Sequence, residues 1–173
     1  MPTCRYPALI AVVLLSSLSY ASEYEENYLR GLTKSITQYI HNVNTQTSES
    51  NFNKVKDNFT APSWRSLMRT LRMNGTNELL HKHRLQQTVA IDEPVRIQQI
   101  QQEPNAVWQA TVRANVKFDN SAMRIQQSIV DDYIIRKIGT NYKIHGFSET
   151  ITGEPTRVDK QVKHDNSCPL TKR

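Results

Sequence analysis

Trp108-Gln109-Ala110-Thr111-Val112-Arg113-Ala114-Asn115-Val116-Lys117-Phe118 is the stretch on which the fold turns. Its even positions are all apolar and its odd positions are Gln, Thr, Arg, Asn and Lys, so an extended chain here has one dry face and one wet face. Asp119-Asn120-Ser121 follows with the short side chains that favour a turn, and a second β-rich run, Met123 to Ile138, comes straight after. The two runs predict a long hairpin. Slipping its register by one residue would put Trp108 and Phe118 in water, and each large apolar side chain contributes roughly 1.5–3 kcal/mol when buried. In the second arm the apolar phase changes from Met123, Ile125 and Ile129 to Val130, Ile134 and Ile138. That change predicts either a bulge near Asp131-Asp132 or burial on both faces.

Upstream, the pattern is helical. Tyr28, Leu29, Leu32, Ile36, Tyr39, Ile40 and Val43 recur at helix spacing, with Glu23, Glu25 and Glu26 at the front, where the helix dipole favours anions. Phe52, Val55 and Phe59 predict a short helix or turn. Thr60 then caps a further helix with Pro62 in its first turn and a stripe of Trp64, Leu67, Met68 and Leu71, which Asn74-Gly75 ends. A short turn through Leu79 and Leu80 reaches His83, giving three helical pieces before any strand. Leu85, Gln87, Val89 and Ile91 alternate as a strand; Glu93-Pro94 is expected to break it, with Val95, Ile97 and Ile100 in a second one. After Gly139-Thr140-Asn141, a closing strand carries Tyr142, Ile144, Phe147 and Ile151. Helices followed by strands indicate an α+β domain, its N-terminal helices packed on one face of a curved antiparallel sheet.

The chain has 173 residues and a formal net charge of +6, which bounds it to one domain with a basic surface. Arg5, the apolar run Ala8 to Leu15 and the small residues at Ser19-Tyr20-Ala21 predict a secretory signal over 1–21, cleaved before Ser22. The domain then occupies 22–151, and 152–173 is expected to be a disordered basic tail. Cys4 leaves with the signal, so Cys168 stands alone and no internal disulfide forms. Export leaves the basic charge for envelope or protein surfaces and excludes nucleic acid; membrane contact is at most peripheral. The expected location is the periplasm, the alternatives being a secreted protein or one held in the inner membrane by an uncleaved signal.

Asn58-Phe59-Thr60-Ala61-Pro62-Ser63-Trp64-Arg65-Ser66-Leu67, then Asn77-Glu78-Leu79-Leu80, then the strand from Trp108 to Val112, resemble the periplasmic domain of the IcmL/DotI family. Those proteins are inner-membrane core components of type IVB (Dot/Icm) secretion systems, and the resemblance covers roughly Leu29 to Glu149. It implies a nuclear transport factor 2-like cone, interaction with other proteins, and no chemistry. Core members of the family carry a cytosolic segment and a transmembrane helix before this domain. A signal in that place points instead to a soluble periplasmic paralogue or a docking accessory.

The function expected is therefore a non-enzymatic interaction or scaffold module of the cell envelope, with secretion-system subunits or a second copy of the chain as partners. No catalytic residue, cofactor or metal is expected. The rivals are a ligand-binding or enzymatic cone with an ionisable group at Asp131, Asp132 or His145, and an exported effector acting on anionic surfaces. His81-Lys82-His83 lacks a third ligand and reads as a solvated helix end. Asp131-Asp132 beside Tyr133 has the chemistry of a general base but reads as structural. Asn58-Phe59-Thr60 and Asn74-Gly75-Thr76 match a glycosylation pattern and read as helix punctuation, and Trp64 and Trp108 read as core. The partner surface is assigned to the wet strand face, Gln109, Thr111, Arg113, Asn115 and Lys117.

Overall fold

The alternation around Trp108 becomes β2 (Val107–Asp119) in a computed structural model that describes residues 7–101 and 106–159. All six even-numbered residues of the alternation are buried. Asn120 closes the turn, its Oδ1 accepting the N–H groups of Ala122 and Met123 at 2.8 and 2.9 Å. β3 (Met123–Ile138) then pairs back in unbroken antiparallel register, from Asp119 opposite Arg124 to Val107 opposite Arg136. No bulge separates Asp131 from Asp132 in this pairing. Of the two readings of the phase change, burial on both faces is the one that holds. Ile129, Asp131, Tyr133 and Ile135 face the core, and Val130, Asp132 and Ile134 are half-buried on the other side.

Glu93-Pro94 does not end a strand, contrary to expectation. β1 (Gln86–Gln101) is one strand whose register against β2 jumps between Asp92 and Arg96, and Pro94 lies inside that irregularity. Proline is tolerated there because β1 is an edge strand of the sheet, which runs in the order β1-β2-β3-β4. β4 (Asn141–Asp159) is also longer than the sequence suggests. Beyond Ile151 it continues along β3 after a register shift between Ser128 opposite Thr152 and Gln126 opposite Thr156. Gly153, at φ +84°, supplies the left-handed backbone that this shift requires. The rest of the expected tail, 160–173, lies outside the described residues.

Four helices precede the sheet among the described residues: α1 (Pro7–His41), α2 (Ser48–Lys56), α3 (Ala61–Met73) and α4 (Thr76–His81). That is one more than expected, because the segment around Phe52 and Val55 closes into a full helix. From Pro7 onward the signal-like stretch is helical and continuous with the first helix of the domain. No helix among the described residues is long and apolar enough to cross a membrane.

The segment before α3 is tied to the edge of the sheet. Thr60 caps α3, and its own N–H donates to the Ile144 carbonyl at 2.9 Å while Ile144 N–H donates to Asn58 at 2.8 Å. At the other edge, the exit from α1 is held by reciprocal bonds between Val43 and Gln87 of β1, at 3.1 and 2.8 Å. Leu29, Ile36 and Ile40 of α1 and Leu67 and Leu71 of α3 thus cover one sheet face, over Trp108, Val112, Tyr133 and Ile135. Trp108 is core, as read; Trp64 is half-buried, edge-on to Phe59 at 5.5 Å. Helices on one face of an antiparallel sheet give the expected α+β architecture, consistent with the cone shape.

Leu67 is fully buried, so Leu67→Ala is expected to cost about 2–5 kcal/mol in urea unfolding. Thr60→Ala, which removes the cap, is expected to cost about 1 kcal/mol. An unchanged urea midpoint for both would show that α3 is not seated as described.

Candidate functional site

A helix laid on a sheet should present an apolar stripe, and α1 does so only in part. Tyr28 and Tyr39, placed on the stripe from their spacing, are exposed, whereas Thr33, Thr37 and His41 join Leu29, Ile36 and Ile40 on the buried side. Residues 33, 37 and 41 are four apart and so share one line along the helix. Thr33 satisfies itself by donating back to the Leu29 carbonyl at 2.8 Å. Thr37 and His41 find partners on the sheet.

Those partners are Tyr133, Asp131 and Glu149. The Thr37 and Tyr133 hydroxyls are 2.7 Å apart, and Tyr133 donates to Asp131 Oδ2 at 3.3 Å. His41 Nε2 lies 3.0 Å from the same Oδ2 and 3.4 Å from Glu149 Oε2. Asp131 and Glu149 are directly opposite each other on β3 and β4, which explains why the two carboxylates meet. Gln87 of β1 lies against the other ring nitrogen, Nε2 to Nδ1 at 3.0 Å, and Asn74 at the end of α3 donates to Glu149 Oε1. The His41, Asp131 and Glu149 side chains are each 2% exposed or less.

Burial on its own would push the His41 pKa down, but the charges of Asp131 and Glu149 and the hydrogen bond to Asp131 hold it above the usual imidazole value. Burial raises Glu149, with His41 opposing and Asp131 reinforcing the shift. Tyr133 is pushed well up by burial and then by the Asp131 charge. The site is a desolvated, mutually dependent set of ionisable groups enclosed by the core. An enclosed set of this kind has the chemistry to hold a cation or to clamp elements together.

The residues weighed from the sequence fall in several places. Asp131 belongs to this cluster, but Asp132 points to the opposite face, as consecutive strand residues must, and accepts from Thr111 at 2.6 Å and Gln109 at 3.4 Å. The two do not form a catalytic pair. His145 is on β4, its pKa lowered by partial burial and by Arg136, and it lines an open cleft with Arg136 and Gly139. His81 and His83 are exposed, and Cys168 lies outside the described residues. Thr60 and Asn74 cap α3 at its two ends, as the punctuation reading has it.

Gln109, Thr111, Arg113, Asn115 and Lys117 all lie on the sheet face away from the core. Asn115 is held between Asp92 at 3.2 Å and Ser128 at 2.8 Å, and Lys117 pairs with Asp119 at 3.1 Å. No sequence motif singles out His41 or Glu149. The available signal was polar residues at buried phase: His41 beside Ile40, and Asp131 between Ile129 and Tyr133.

Removing one partner of a buried charge pair leaves the other uncompensated, so Asp131→Ala is expected to cost about 3–5 kcal/mol in denaturant unfolding. Asp132→Ala, which removes hydrogen bonds on the half-buried outer face, is expected to cost about 1 kcal/mol. Equal losses would contradict the assignment of the two residues to opposite faces.

No family model and no curated protein matches the sequence. Solved structures do. An IcmL-like type IV secretion system protein from Legionella pneumophila superposes with a TM-score of 0.63 at 15% identity, over 75% of this chain and 95% of that one. The periplasmic domain of DotI gives 0.65 at 13% identity over 72% and 94%, and a periplasmic fragment of TraM gives 0.64 at 12% over 73% and 98%. Nearly the whole of each of these domains is matched, and at such identities the likeness is one of fold: the chain has the fold of the IcmL/DotI-like periplasmic domains.

Proposed function

We propose that this protein is a non-enzymatic interaction module of the bacterial periplasm, exported by its N-terminal signal, which docks on envelope subunits of a type IVB-like secretion assembly. The observation that carries this reading is the fold held in common with three domains whose names place them in secretion systems or the periplasm. The ionisable cluster, with its side chains 2% exposed or less, is read as a structural part of this module. The docking surface is the outer face of β2, where Arg113 is exposed and Lys117 partly so. The exposed Arg113 guanidinium suits a carboxylate on a partner protein.

The test is fractionation of the native host, mass determination of the N-terminus, and photo-crosslinking from a probe placed at Gln109, on the same face as Arg113 and Lys117. A chain beginning at Ser22, recovered from the periplasm and crosslinked to secretion-system subunits, is the expected result. The double variant Arg113→Glu/Lys117→Glu should keep its melting temperature and lose most of the crosslink. A cytosolic protein, or one whose crosslinks are unchanged by the double variant, would sink the proposal.

A further inference from the structure

His41, Asp131 and Glu149 come from three separate elements, α1, β3 and β4, and their donor atoms lie within 4.8 Å of one another. The two distances from His41 Nε2, 3.0 and 3.4 Å, bracket the roughly 3.3 Å expected between neighbouring ligand atoms around a tetrahedral zinc with bonds of about 2.0–2.1 Å. A hydrogen-bonded cluster alone leaves oxygens unaccounted for. Asp131 Oδ1, Glu149 Oε2 and Gln87 Oε1 are all buried and without a hydrogen-bond partner, which is costly in a desolvated core. Among the described residues, His41 alone forms ion pairs with these carboxylates.

We propose that this cluster is a structural site for a divalent transition cation of the zinc or manganese type. His41 Nε2, Asp131 and Glu149 Oε2 are the ligands, and Asp131 Oδ1 is free to make its carboxylate bidentate. The ion displaces the proton shared between His41 Nε2 and Asp131, which goes to solvent, and the charges then balance: two carboxylates and a neutral imidazole against one dication. The outer partners are already in place. Turning over the Gln87 carboxamide changes no shape and lets its orphaned Oε1 accept the Nδ1 proton of His41, which leaves Nε2 free for the metal. Asn74 orients Glu149 through Oε1, and Tyr133, itself held by Thr37, orients Asp131. Because every ligand is enclosed, the ion ties the end of α1 to β3 and β4 and performs no chemistry.

The test uses the untagged full chain, refolded after chelator treatment with no metal, with Zn²⁺ or with Mn²⁺; metal content is measured after dialysis, and melting temperature with the free ion present. About one ion per chain is expected, with a rise in Tm of roughly 5–10 °C at a hundredfold excess over Kd. Glu149→Gln keeps an acceptor for Asn74 and should abolish both effects, whereas His81→Ala/His83→Ala should leave both intact. Wild-type protein that is folded by circular dichroism yet retains no ion and gains no Tm would overturn the site. So would metal uptake that follows His81 and His83. If Glu149→Gln does not fold, X-ray absorption of the loaded wild type decides. One imidazole with oxygen donors supports the assignment, and sulfur or several imidazoles refutes it.

Discussion

The unbroken register of β2 on β3 is the constraint on which the remaining structure depends. It places Ala110 opposite Tyr133, Val112 opposite Asp131 and Ala114 opposite Ile129, all on the covered face. Ala110 packs in the cluster under α1, and Ala114 in a second cluster with Leu85, Val116, Phe118 and Ile129. A shift by one residue would exchange Asp131 with Asp132 or Val130 and turn Trp108 and Phe118 outward, so the hydrophobic and polar parts of the core are fixed together. The hydrophobic residues select the register, and the register then puts a carboxylate into the interior whether or not that residue is favourable there.

Buried charge is a poor source of stability, since desolvation offsets most of the attraction between partners. Its retention in a fold of this size has to be understood through geometry. Both exits that bring the cluster together are pinned at sheet edges: Val43 to Gln87 on β1, and the Asn58 to Thr60 segment to Ile144 on β4. The first sets the position of His41 relative to Gln87, and the second seats α3 so that Asn74 reaches Glu149. The polar groups lie where α1 and the end of α3 meet one sheet, and they distinguish this arrangement from other apolar packings of the same helices.

Much of the fold was legible in local sequence. The hairpin followed from period-two alternation and a turn whose Asn120 does what its side chain suggests; α3 followed from Thr60, Pro62 and Asn74-Gly75. The remainder depends on neighbours that local sequence does not show. Pro94 looks like a strand end in isolation, but an edge position and a register jump absorb its missing donor. Residues 152–158 are exposed throughout and lack an apolar period, so only pairing with β3 reveals them as strand. The cluster was illegible for a related reason. His41 and Asp131 are separated by 90 residues, and no spacing rule connects them. The traces are a polar residue at buried phase on each element: His41 beside Ile40, and Asp131, which interrupts the run of Ile129, Tyr133 and Ile135 without leaving their face.

The two sides of the sheet therefore have different physical tasks, and consecutive residues divide them. Asp131 faces in and completes a desolvated cluster; Asp132 faces out and is held by Thr111 and Gln109, beside the Asp92, Asn115 and Ser128 chain on the same surface. Side chains already fixed in such a lattice lose less rotamer freedom when a partner arrives than free ones do. A rigid inner cluster also limits how far the strands beneath that surface can move. Around Asn115 and Asp132 the outer face of β2 is thus held by its own hydrogen bonds and backed by the packed core, as the docking proposed for it requires. That is the property a docking surface needs when buried area alone does not set affinity.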